Sequence, residues 1–167
     1  MNKSKFISIC IPSYNRPHTL DTLLHSIDQH CSPHIEIVIC EDCSPKREEI
    51  RMVVANFKKQ NLFDVKYIEN EYNYGYDANL RQLIKNADGE YILFMGDDDV
   101  FVENNLIHFI NFLLHNKKLG YVLKTWQLLY PNGEIEYFNY FKNTCFFESG
   151  INTYVALYRI SVFISGF

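Results

Sequence analysis

The chain lacks any surplus of positive charge: 16 Lys and Arg stand against 20 Asp and Glu, a net charge of −4 over 167 residues. Neutralising phosphates takes clustered Lys and Arg in excess, so there is no basic footprint for nucleic acid or an anionic membrane, and an anionic ligand must be held locally. Long apolar runs are missing as well. No stretch approaches the roughly 20 residues of a membrane span. The run behind Lys3 and Lys5, "FISICI", is too short for a signal-peptide core and meets Pro12. These absences lead to the expectation of a cytoplasmic protein. A disulfide framework is lacking too: Cys10, Cys31, Cys40, Cys43 and Cys145 are odd in number and scattered through strand-like segments, as reduced thiols are. There are no repeats and no low-complexity segments. What remains is the composition of an ordinary globular protein, long enough for one domain with a real core.

Short apolar runs alternate with helical patterns. "FISICI" (6–11) reads as a strand, followed by a helix through "HTLDTLLHSIDQH" (18–30) with Leu20, Leu23, Leu24 and Ile27 on one face. "IEIVIC" (35–40) is a second strand. Ser44 and Pro45, a capping side chain before a proline, are expected to start a helix through "REEIRMVVANFKKQ". "VKYIE" (65–69) gives a third strand, "DANLRQLIKNA" a helix capped by Asp77, and "YILFM" (91–95) a fourth strand. A helix at about 103–116 and a strand near "GYVLK" (120–124) follow. Strands apolar on both faces in this rhythm predict an α/β fold, a parallel sheet covered by helices. After residue 125 the rhythm changes: "WQLLYPNGEIEYF" predicts a hairpin around Pro131, Asn132 and Gly133. From Tyr137 onward about ten Phe and Tyr crowd into roughly thirty residues, too many for one patch in water. The core, a peripheral membrane contact, a partner or further chain would have to cover them.

Ligands of open parallel sheets bind outside the carboxyl ends of the strands. Here those ends are followed by "PSYNRP", "EDCS", "NEYNYGYD" and "GDDD". Ser13, Tyr14, Asn15, Arg16, Glu41, Asp42, Asn73, Gly75, Asp77, Asp97, Asp98 and Asp99 thereby reach one edge. Adjacent carboxylates repel, and a hard cation such as Mg2+ or Mn2+ neutralises such a cluster with oxygen ligands. The plainer alternative is a solvated turn whose acids favour the positive end of the next helix. Asp42 in "DCS" fits an Asx turn, and Asn73 with Gly75 a turn with positive φ. Cys40 and Cys43 have C-x-x-C spacing, but "HCSPH" (30–34) offers no standard second half of a zinc site, and Glu41 and Asp42 would raise a redox thiol's pKa. The six histidines read as ordinary surface or half-buried residues.

"ISICIPSYNRPHTLDTLLHSI", "IEIVICEDCSP" and "NYGYDANLRQLIKNADGEYILFMGDDD", in this order and spacing, resemble the family 2 glycosyltransferases of the GT-A fold. The likeness is strongest to the abequosyltransferase-like bacterial surface-polysaccharide enzymes, and it covers roughly the first 125 residues. It implies a nucleotide-sugar-binding core over 1–125 and the incomplete start of an acceptor-side region over 126–167. Pro12, Ser13 and Tyr14 would wall the base and ribose, with Arg16 among the nucleotide contacts and Asp42 bonding the nucleobase. Asn73, Gly75 and Asp77 would close over the nucleotide, and Arg81 would reach a phosphate. The family's D-x-D aligns with Gly96, Asp97 and Asp98, leaving Asp98 as the direct Mn2+ or Mg2+ ligand with Asp97 or Asp99 assisting through ribose or water.

The implied reaction is inverting transfer of a sugar from a nucleoside-diphosphate donor to a saccharide or lipid-linked acceptor. The general base would be a carboxylate past an aromatic, arginine-containing segment that "TYVALYRISVF" (153–163) matches, beyond Phe167. Two alternatives stand beside this. One is a nucleotide-binding fragment without transferase activity. The other is a phosphatase of the haloacid dehalogenase type, whose D-x-D-x-[TV] strand end is partly mimicked by Asp97 to Val100, although that motif belongs on a first strand.

Overall fold

The computed structural model describes residues 5–27, 29–31, 33–139 and 141–152; the segment at 153–163 lies outside them. The chain divides into two compact units, Met1–His115 and Asn116–Phe167. In the first, β1 (Ile7–Ser13), β2 (Ile35–Glu41), β3 (Asp64–Glu69) and β4 (Tyr91–Phe94) form a parallel sheet in the order β3-β2-β1-β4. Its helices are α1 (Pro17–His25), α2 (Arg47–Gln60), α3 (Tyr76–Asn86) and α4 (Asn105–His115). The steps from β1 to β2 to β3 run one way across the sheet and the step to β4 runs back past β1. Right-handed crossovers then put α1 and α2 on one face and α3 on the other.

β-branched residues suit this pleated, doubly covered surface. Ile7, Ile9, Ile11, Ile35, Ile37 and Ile39 are fully buried, each contributing about 1.5–3 kcal/mol by transfer from water. The alternate set, Cys10, Val38 and Cys40, packs with Leu83 of α3. Leu20, Leu23 and Leu24 of α1 are buried as their spacing predicts, as are Ile50, Val54 and Phe57 of α2.

Several local expectations need correction. α1 stops at His25, where the Ser26 hydroxyl donates to the Leu23 carbonyl at 2.7 Å and competes with the helix; a short 3-10 turn, Gln29–Cys31, follows. Ser44 does not cap α2. The N-cap position is Lys46 without a side-chain bond, and the Ser44 hydroxyl is buried without a partner. Asp77 does not cap α3 either: Gly75, at φ 81°, holds that position, and Asp77 sits in the first turn. Residues 120–124 form no strand, since an apolar run becomes one only beside a partner strand.

The second unit contains the expected hairpin, β5 (Trp126–Leu129) paired antiparallel with β6 (Ile135–Phe138). Gly133, at φ 85°, closes the turn onto Tyr130. Trp126 stacks on its cross-strand partner Phe138 with centroids 4.1 Å apart, a contact that favours this register. Tyr137, Phe138, Phe146 and Phe147 are exposed.

The amino end of the sheet is closed by a network around the buried Glu36. Glu36 takes the Ser8 hydroxyl at 2.5 Å, the Asp88 N–H at 2.6 Å and the Lys66 ammonium at 2.8 Å. Gly89 passes so close that a Cβ there would lie 2.4 Å from the Ser8 nitrogen, so only glycine fits. Burial opposes the Glu36 charge, yet the bonds from Lys66, Ser8 and Asp88 outweigh it and hold the carboxyl below its usual 4.5. A lowered folded-state pKa gives stability that is present above the unfolded value and lost as pH falls through the folded one. Denaturant unfolding should therefore show a fall in wild-type stability below pH 4.5. Glu36→Gln should be about 2 kcal/mol less stable at neutral pH, with a shallower acid loss; parallel acid profiles would contradict this account of the network.

Candidate functional site

Strand order reverses between β1 and β4, which makes their carboxyl ends the topological switch point of the sheet. Pro12 is tolerated there for a geometric reason. The Cys10 carbonyl accepts the Met95 N–H at 3.0 Å, so residues 10 and 12 turn their backbone groups towards β4, which ends at Phe94. The N–H that proline lacks has no strand to meet. Beyond Ser13, Asn15 adopts φ 61° and turns the chain into α1, with Arg16 at its N-cap and Pro17 opening the helix.

The two strand ends are tied by charge. Asp97 is fully buried, and its Oδ2 accepts the Tyr14 N–H at 3.2 Å. The Arg16 guanidinium lies 2.6 Å from Asp97 Oδ1 and 2.5 Å from Asp98 Oδ2, although Asp97 Oδ1 receives no well-aimed hydrogen bond. Burial raises the Asp97 carboxyl's pKa despite Arg16 and the Tyr14 N–H. Desolvation, then the Asp98 charge, raises that of Asp99. Gly96 is where these carboxylates crowd: a Cβ on it would meet Asp99 Oδ2 at 2.8 Å and Asp98 Oδ1 at 2.9 Å.

A second group is built on β2 and β3. Asp42, 4% exposed, accepts the Asn70 amide at 2.7 Å, the Tyr74 N–H at 3.0 Å and the Gly75 N–H at 2.9 Å. Asn73 Oδ1 also takes the Gly75 N–H, at 2.9 Å. The Asp42 N–H reaches the Ser13 carbonyl at 3.1 Å and so joins this group to the end of β1. With three donors in place, Asp42 retains about one of its roughly four acceptor positions. Asp77 and Arg81 pair with each other at 3.0 Å on exposed α3. The sequence-predicted residues thus fall into one cluster of Tyr14, Arg16, Asp97 and Asp98, an adjoining one of Asp42, Asn73 and Gly75, and the separate pair Asp77 and Arg81.

Three residues that hold this edge together with Glu41, namely Arg47, Asn70 and Asn79, were not legible as such. Glu41, fully buried, accepts the Cys43 N–H at 3.1 Å, the Ser44 N–H at 2.6 Å and Arg47 Nε at 2.6 Å. Arg47 continues to the Asn70 carbonyl. Asn79 of α3 donates to the Cys40 carbonyl at 3.0 Å and lies 3.3 Å from the Asn70 amide. The one sequence signal was polar residues placed at ends of otherwise apolar elements. Burial, then Asp42 and Glu41, pushes the Cys40 thiol up to about 12, which disfavours the thiolate that redox chemistry needs, and no disulfide joins any of the five cysteines.

Among the described residues no three His, Cys, Asp or Glu side chains form a ready metal set, and no helix is long and apolar enough to cross a membrane.

A parallel sheet with acids and an arginine gathered at its switch point defines an α/β protein with a polar edge at the carboxyl ends of its strands. The family is then settled by similarity: the sequence pattern of "Glycosyl transferase family 2" matches residues 8–155, and the chain belongs to that family. It is 27% identical over 75% of its length to the UDP-Glc:alpha-D-GlcNAc-diphosphoundecaprenol beta-1,3-glucosyltransferase WfgD of Escherichia coli, 47% of which is covered. It is 30% identical over 60% of its length to the abequosyltransferase RfbV of Salmonella typhimurium, 30% of which is covered. The chain thus spans less than half the length of either relative. Among solved structures, the mannosyltransferase PcManGT of Pyrobaculum calidifontis, in complex with GDP-Man and Mn2+, matches 67% of the chain at a TM-score of 0.59 and 16% identity, with 33% of that protein covered. The fold is GT-A.

Removing the Asp42 acceptor should free the 70–75 loop. In Asp42→Ala, amide exchange at Tyr74 and Gly75 should accelerate by at least about tenfold while Ile37 and Ile39 stay protected; unchanged rates at both amides would show that the carboxylate does not hold the loop.

Proposed function

We propose that this chain supplies the donor and metal half of a sugar transferase, which moves a sugar from a nucleoside-diphosphate donor to a saccharide or lipid-linked acceptor with inversion. The observation that carries this reading is the junction at the switch point, where Asp97 locks Tyr14 and Arg16 beside Asp98 and Asp99. Asp98 and Asp99 fit a hard divalent cation, Mn2+ or Mg2+: their oxygens share the cradle over Gly96 that a Cβ would fill. When bound, the cation would stabilise the charge growing on the leaving diphosphate.

The chain's own groups do the rest of the donor work. Arg16, at the positive end of α1, offers a guanidinium to phosphate oxygens. Tyr14, 44% exposed, presents a ring beside Pro12 and Ser13 for base and ribose. The remaining acceptor position on Asp42 suits one N–H of a nucleobase. Residues 126–167 would begin the acceptor side. The lipid-diphosphate acceptor in the name of the Escherichia coli relative supports a lipid-linked acceptor and work at a membrane surface.

Titration calorimetry with UDP, dTDP, CDP and GDP, with and without Mn2+, tests the reading. At least one nucleotide should bind, with affinity raised about tenfold or more by the cation, and Asp98→Ala should abolish that gain. Binding of no nucleotide would sink the proposal, and an undiminished gain in Asp98→Ala would move the metal elsewhere.

A further inference from the structure

We propose that Arg16 is the resident counter-cation of this edge and that a divalent cation must take Asp98 from it, so that Arg16 sets the metal affinity of the nucleotide-free protein. This rests on the donor and metal reading above. The guanidinium is a two-pronged clamp with one prong on each carboxylate, 2.6 Å from Asp97 Oδ1 and 2.5 Å from Asp98 Oδ2. The two carboxylates differ in access. The Asp97 side chain is 0% exposed, that of Asp98 is 52% exposed, and Arg16 is 50% exposed. A hydrated ion therefore reaches Asp98 and not Asp97.

Exchange needs only half of the clamp to open. Arg16 keeps the prong on Asp97, whose carboxylate is further fixed by the Tyr14 N–H, and releases the prong on Asp98. The charges agree with this division. Three ionised carboxylates, Asp97, Asp98 and Asp99, less one guanidinium leave two negative charges, which one divalent cation neutralises. The second observation is the cradle over Gly96, where Asp99 Oδ2 and Asp98 Oδ1 lie 2.8 and 2.9 Å from the place a Cβ would take, so that a cation seated there draws on the same Asp98 carboxylate whose other oxygen Arg16 holds. Arg16 is in this sense a positioning residue for the metal site. The prong freed from Asp98 stays tethered at the start of α1, where a diphosphate can take it.

The test is direct Mn2+ binding, followed by the loss of the free-ion EPR signal, without nucleotide. Arg16→Gln should bind Mn2+ about tenfold more tightly than wild type, because a competing charge at contact distance is gone. Arg16→Lys, which keeps the charge, should remain near wild type. Lys59→Gln, which removes one charge in the last turn of α2 at the far end of the sheet, should not change the affinity; a rise equal to that of Arg16→Gln would mean net charge rather than exchange, and would overturn the proposal. Equal binding by wild type and Arg16→Gln overturns the exchange and leaves the donor reading standing. Mn2+ binding by neither overturns both. A readout on the wild-type protein covers an Arg16→Gln chain that does not fold: Mg2+ should shift and sharpen the Arg16 guanidinium NMR signal, and an unmoved signal at saturating Mg2+ contradicts the exchange.

Discussion

The first unit depends on carboxylates that accept the backbone N–H groups left over where the parallel strands end. A parallel ladder finishes raggedly, and N–H groups buried there cost free energy unless an acceptor meets them. Glu41 takes those of Cys43 and Ser44, Asp42 those of Tyr74 and Gly75, and Asp97 that of Tyr14. All three acids are buried, and each bonds a loop distant in sequence or turns its own loop back on itself. Together they convert four strand ends into one organised edge. The positive φ of Cys43 follows from this, since successive N–H groups aimed at one carboxylate need a left-handed residue between them.

Against that background the neighbours Asp98 and Asp99 stand apart. They lie beside the locking acid and take no N–H from another strand's loop. Arg16 pairs with Asp98, and the Gly96 backbone three residues back bonds Asp99. The contrast with the amino end of the sheet is chemical. There Glu36 is matched by Lys66, Ser8 and Asp88, and Gly89 seals the approach. One end of the sheet is neutralised and closed, and the other keeps acids at its surface where the strand order reverses. Burial and charge together, rather than the count of aspartates, are what recommend the carboxyl end as the site proposed above.

Much of this was legible in the sequence. Short apolar runs gave β1, β2 and β4, the alternating segment at 65–69 gave β3, the spacing of Leu20, Leu23 and Leu24 gave the buried face of α1, and Pro131 to Gly133 gave the hairpin turn. The convergence of "PSYNRP", "EDCS" and "GDDD" on one edge followed from the parallel topology alone. What escaped was long-range. Ser44 and Asp77 have the chemistry of caps, but Lys46 and Gly75 take the N-cap positions, while Glu41 and Asp42 bond the Ser44 and Gly75 N–H groups just ahead of the helices, and no local rule sees such bonds. The run at 120–124 has strand composition without a partner. Asn70, Asn79 and Arg47 read as unremarkable polar residues until the fold brings them to Asp42, Cys40 and Glu41. The pairing of Arg16 with Asp97 and Asp98 spans more than eighty positions and has no sequence signature.

The central claim is that the switch point between β1 and β4 is where the diphosphate and its cation bind. Crystals of the chain grown with a nucleoside diphosphate and Mn2+ would locate the ion by its anomalous scattering. The account predicts one peak within coordination distance of Asp98, with the diphosphate between it and Arg16. A peak at Glu41 and Asp42, or a nucleotide bound away from the carboxyl end of β1, would contradict it.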